Sequence, residues 1–191
     1  MAEVLLFHHV HGLTAGVLEF AEELRRAGHT VHVPDLYEGK VFDDFEESVA
    51  YARKVGFDVL TERGRAAAEG LPGELVYAGF SLGVFPAQAL AQTRPGAKGA
   101  LFFHTCMPVS EVGAWPEGVP VQVHGMDADE LFVEGGSLDA ARALVAEAEN
   151  AELFLYPGDR HLFADPGLST YDAEATALLT ERVLGFLAGI R

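Results

Sequence analysis

The chain has 191 residues, enough for one domain with a sizeable core and too few for two comfortable ones. With 49% hydrophobic and 22% charged residues it reads as an ordinary globular protein, and no stretch approaches the roughly 20 apolar residues of a membrane span. A net charge of −16 argues against nucleic acid and anionic membranes as partners, and the single cysteine, Cys106, excludes an internal disulfide.

The N-terminal run Met1-Ala2-Glu3-Val4-Leu5-Leu6 has no basic segment of the kind that opens a signal peptide, so a cytoplasmic location is expected. Val4 to His8 reads as a buried strand. The loop after it, His9-Val10-His11-Gly12, holds two histidines, which with His8 make a cluster of three that could suggest a metal site. Adjacent strand side chains point to opposite faces, however, so His8 and His9 cannot easily share an ion. No metal and no cofactor is expected; His8 reads as a satisfied core residue and His9 as a pocket-lining one. A helix near Val17 to Ala27 stops at Gly28, and Thr30 to Val33 is a second strand ending at Pro34-Asp35. Asp43 to Glu69 is helical, in two pieces broken near Gly56.

A third strand, Leu75 to Gly79, leads into Gly79-Phe80-Ser81-Leu82-Gly83, and an Ala- and Leu-rich helix follows from Val84. The pentapeptide matches G-x-S-x-G, a strand-to-helix turn so tight that it exposes the serine hydroxyl above the sheet, beside a helix N-terminus. Ser81 is the candidate nucleophile. A hydroxyl needs a base to take its proton, and the base needs a carboxylate to orient it. The N–H of Leu82, just after the nucleophile, and that of Val10, in the first-strand loop, are the candidate oxyanion donors.

Strands four, five and six read as Ala100 to His104, Pro120 to His124 and Leu153 to Tyr156, with helices near Leu138 to Glu149 and Tyr171 to Leu187. Alternating strands and helices indicate a parallel sheet covered on both faces, a three-layer α/β fold of about six strands with its site at the strand carboxyl ends. Strand five is followed by His124-Gly125-Met126-Asp127-Ala128-Asp129-Glu130, and strand six by Pro157-Gly158-Asp159-Arg160-His161. His161 is the only histidine beyond the acidic loop and is the candidate base. Asp129 has more reach than Asp127 and is preferred as the acid; Asp127 suits backbone bonding within the turn, and Glu130 is a third choice. His104 and His124 read as structural, and Cys106 as packing. The segment from Met107 to Gly118 is a loop that could overhang the site, and His9, Tyr37, Phe80 and Trp115 are expected to line the substrate pocket.

With these residues in place, the chain resembles the dienelactone hydrolase family of α/β-hydrolases over nearly its whole length. The segments that carry the likeness are His9-Val10-His11-Gly12-Leu13, Ala27-Gly28-His29-Thr30-Val31 with Pro34-Asp35-Leu36-Tyr37, the turn from Gly79 to Gly83, and Tyr156-Pro157-Gly158 with His161-Leu162-Phe163-Ala164. The resemblance implies a compact α/β-hydrolase without a large cap, acting on a small ester or lactone; a monomer or small homo-oligomer is expected. Two positions depart from the namesake enzymes. Ser81 stands where they have a cysteine, and Asp165 where they place an arginine for the substrate carboxylate, so repulsion of an anionic lactone is expected. The rival class is a non-catalytic small-molecule binding protein on the same fold, which would have no need of a matched base and acid.

Overall fold

Strands β1 (Glu3–Phe7), β3 (Val76–Phe80), β4 (Gly99–Phe103) and β5 (Val121–Met126) are buried along almost their whole length. Such strands need cover on both faces. The computed structural model, which describes residues 1–190, pairs them with β2 (Thr30–His32) and β6 (Ala151–Tyr156) in one parallel sheet of order β2-β1-β3-β4-β5-β6.

Side-chain alternation along each strand feeds two separate cores. Val4 and Leu6 point to the face covered by α1 (Ala15–Arg26) and α7 (Ala173–Gly189), where they meet Phe20, Leu24, Leu179 and Val183. Leu5 and Phe7 point to the other face, covered by α2 (Phe45–Val55), α3 (Phe57–Ala68), α4 (Val84–Thr93) and α6 (Ser137–Glu147). Leu101 and Phe102, neighbours on β4, are fully buried in opposite cores; truncating either to alanine costs about 2–5 kcal/mol.

The helix ends follow local chemistry. Thr14, Asp44 and Asp172 accept from the first-turn amides of α1, α2 and α7. Gly56, at φ 97°, separates α2 from α3 where the sequence predicts a break. The four-residue helix α5 (Glu130–Val133), just after β5, is not foreseen in the sequence. The segment 107–118 is tied to α4: Gln88 exchanges hydrogen bonds with Met107 N and O, and Gln92 Nε2 donates to Val109 O.

The connection from β1 leads outward to β2, whereas β3 lies on β1's other side. Strand order therefore reverses between β1 and β3, and a crevice opens at their carboxyl ends. The loop after β1 and the turn after β3 both face it.

Candidate active site

β3 runs into Ser81, which has φ 46°, then a 3₁₀ turn over Ser81–Gly83, then α4. A non-glycine residue in this left-handed region is strained by about 1–3 kcal/mol and persists only when its surroundings hold it. Both flanking glycines are sterically required. A Cβ at Gly79 would fall 2.2 Å from Gly83 O, and one at Gly83 would fall 2.4 Å from Phe7 O. The turn is thus pressed against the end of β1, which brings Ser81 beside the His9–Val10 loop.

His161 and Asp129 arrive from the ends of β6 and β5. His161 Nε2 lies 3.0 Å from Ser81 Oγ, and its Nδ1 lies 2.6 Å from Asp129 Oδ2. With the acid buried at 1% exposure, Nδ1–H donates to the carboxylate and Nε2 is left to accept from the hydroxyl. The second oxygen of Asp129 is occupied too: Oδ1 accepts from Leu131 N at 3.0 Å and caps α5, which fixes the carboxylate. Asp127 faces elsewhere, accepting from Gly158 N at 3.1 Å while its own N–H donates to Tyr156 O. It ties the β5 and β6 turns together.

The peptide between His9 and Val10 is pinned from its carbonyl side. His9 O accepts from Gly12 N at 3.0 Å and from His8 Nδ1 at 2.8 Å. In a planar trans peptide this aims the Val10 N–H the opposite way, and that N–H has no partner among the described residues. His8 is the satisfied core histidine expected, with Nε2 accepting from Leu36 N at 3.0 Å. His9 differs from expectation. It is fully buried, and its Nε2 lies 2.8 Å from Asp165 Oδ2, so it sits behind the loop and not in the pocket. Asp165 is only 3% exposed, so its carboxylate is turned inward and does not face a substrate.

The cleft beside His161 measures about 700 Å³ and is lined by His11, Asp43, Asp44, Phe45, Leu131 and Leu168, among others. The other expected lining residues lie elsewhere. Tyr37 is fully buried among His8, Phe42 and Tyr51; Phe80 points from β3 into the α1/α7 core against Phe20 and Phe103. Trp115 packs on Phe102, with Nε1 donating to Val119 O. Strand parity sends Phe80 inward, and Tyr37 follows a strand end that the α2 region covers. Phe45 and Leu131, by contrast, are exposed apolar side chains beside a polar centre, and no local pattern in the sequence marks them.

Four histidines, His8, His9, His104 and His124, are fully buried. Burial lowers His8 to about 4 and His124 to about 3, and holds His9 and His104 below the ordinary imidazole range as well. All four therefore stay neutral in the fold, while in the unfolded chain they protonate near pH 6.5. The unfolded state binds more protons as pH drops, so stability present above about 6.5 is lost on acidification toward 4. Calorimetry should show the melting temperature falling through that window; a flat profile would contradict the neutral assignment.

A family model described as the dienelactone hydrolase family matches residues 1–190. No curated protein matches the sequence. Among solved structures, the chain is similar to a dienelactone hydrolase-like promiscuous phosphotriesterase from metagenomic libraries, at TM-score 0.81 and 19% identity, covering 100% of this chain and 87% of that one. It is also similar to the esterase PE8 (TM-score 0.67, 18% identity, 100% and 93% covered) and to a Bacillus cereus carboxylesterase (0.58, 20%, 95% and 87%). At these identities the likeness is one of fold.

Proposed function

From a chain that belongs to the dienelactone hydrolase family, a hydrolase of the α/β type, we propose a serine-dependent hydrolase of small carboxylic esters or lactones. The observation that carries this reading is the continuous relay from Ser81 Oγ through His161 to Asp129, at 3.0 and 2.6 Å.

In this mechanism Ser81 Oγ attacks the ester carbonyl as His161 Nε2 takes its proton. The Val10 and Leu82 N–H groups hold the tetrahedral oxyanion, an interaction worth about 2.7–4 kcal/mol per donor in enzymes of this kind. Asp129 stabilises the imidazolium, which then returns its proton to the departing alkoxide. From a lactone, that alcohol stays tethered to the acyl group. A water, deprotonated by the same histidine, releases the acid and restores Ser81. Incubation with a fluorophosphonate should label Ser81 alone; a folded protein left unlabelled would sink the proposal.

The cleft also bears on substrate charge. Asp43 and Asp44 line it, and no Lys or Arg does among the described residues. Two carboxylates at roughly 7–8 Å in a water-like medium oppose an anion by about 1 kcal/mol together, or about fivefold. A p-nitrophenyl hemisuccinate should therefore be turned over about five times less efficiently than the butyrate, with the gap closing at high salt. Equal kcat/KM at low salt would remove the charge argument.

A further inference from the structure

Asp165 is buried four residues beyond the base, and the proton relay does not use it. Its Oδ2 accepts from His9 Nε2 at 2.8 Å and from Thr14 Oγ1 at 2.6 Å, and its Oδ1 accepts from Gly167 N at 2.7 Å. The space it fills is made for it. A Cβ at Gly16 would fall 1.8 Å from Asp165 Oδ1, so only glycine at the start of α1 admits the carboxylate. Burial works against the charge of Asp165, but the hydrogen bonds from His9, Thr14 and Gly167 outweigh it and hold the group below the usual carboxylate range.

The partner side is equally defined. His9 Nδ1 accepts from His11 N at 3.3 Å, so the ring is the neutral tautomer whose Nε2–H donates to Asp165. One imidazole thus bridges the chain that carries His161 and the loop that carries Val10. Thr14 adds a third segment, since its hydroxyl oxygen also accepts from Val17 N and caps α1.

We propose that Asp165 and His9 form a clamp that sets the oxyanion loop in register with His161, so that the Val10 N–H meets the charge at the place where the proton relay creates it. The clamp rests on the serine-hydrolase reading above. Both are positioning residues, because neither touches the reacting atoms. A displacement of about 1 Å in such a donor costs up to about 100-fold in rate, while ground-state binding hardly senses it.

The test uses Asp165→Asn and Gly16→Ala, which disturb the clamp by removing its charge and by displacing it. On p-nitrophenyl butyrate each should lower kcat about 10- to 100-fold with KM unchanged within about threefold. A trifluoromethyl ketone, which forms an anionic adduct with a nucleophilic serine, should lose affinity by the same factor as kcat/KM. The double variant should be little worse than either single one, since both break one device. A merely structural role would lower the melting temperature and leave kcat of the folded protein and ketone affinity intact; that result overturns the clamp. Should Asp165→Asn fail to fold, His9→Phe keeps the ring and removes both of its side-chain hydrogen bonds, and the same outcomes decide. Wild-type protein that no fluorophosphonate labels defeats the serine-hydrolase reading and the clamp with it. Labelled wild type with unaffected variants defeats the clamp alone.

Discussion

Ser81→Ala is expected to lower ester turnover by about 10⁴- to 10⁶-fold, the largest effect of any single substitution in this chain. The hydroxyl is held 3.0 Å from the imidazole that would activate it. Alanine removes the nucleophile yet leaves the turn's contacts, because the close packing comes from Gly79 and Gly83 and not from the serine side chain. Near-unchanged melting temperature and circular dichroism should accompany the lost activity. Cys106→Ala supplies the contrast. Its thiol is buried, and burial pushes its pKa up to about 12, so almost no thiolate exists at neutral pH. Turnover should stay within about threefold, and thiol reagents should not inhibit. Ester hydrolysis that survives Ser81→Ala and falls with Cys106→Ala would reverse the assignment of the nucleophile.

The second large effect is expected at the acid. Asp129→Asn should reduce kcat about 10²- to 10⁴-fold, because an amide can stabilise neither the imidazolium nor the tautomer that leaves Nε2 free to accept. The fold should survive. Asparagine caps a helix about as well as aspartate, so Leu131 N keeps its acceptor and α5 its start. Asp127→Asn should leave kcat nearly unaltered and cost at most about 1 kcal/mol of stability, since this side chain only receives a backbone N–H from Gly158. Steady-state kinetics on equally folded variants decide between them, and a larger loss at Asp127 would transfer the role.

The order of strands and helices, the turn at Ser81, and the meeting of His161 and Asp129 with it were legible in the sequence because each rests on local pattern or chain order. Apolar runs of strand length, a glycine two residues either side of a serine, and an acid with two more residues of reach than its rival are properties of neighbours along the chain. The strand-order reversal between β1 and β3, which creates the crevice, is a property of the assembled sheet. So is the pairing of His9 with Asp165, 156 residues apart, which turned an expected pocket residue and an expected repelling charge into one buried contact. Tyr37, Phe80 and Trp115 look like pocket aromatics in the sequence, yet the structure buries or diverts all three, while His11, Phe45 and Leu131 line the cleft instead. Composition and spacing determine which segments become strands and helices. Which face a given side chain reaches, and what meets it there, depends on strand parity and on segments arriving from far along the chain, and only the folded structure decides that.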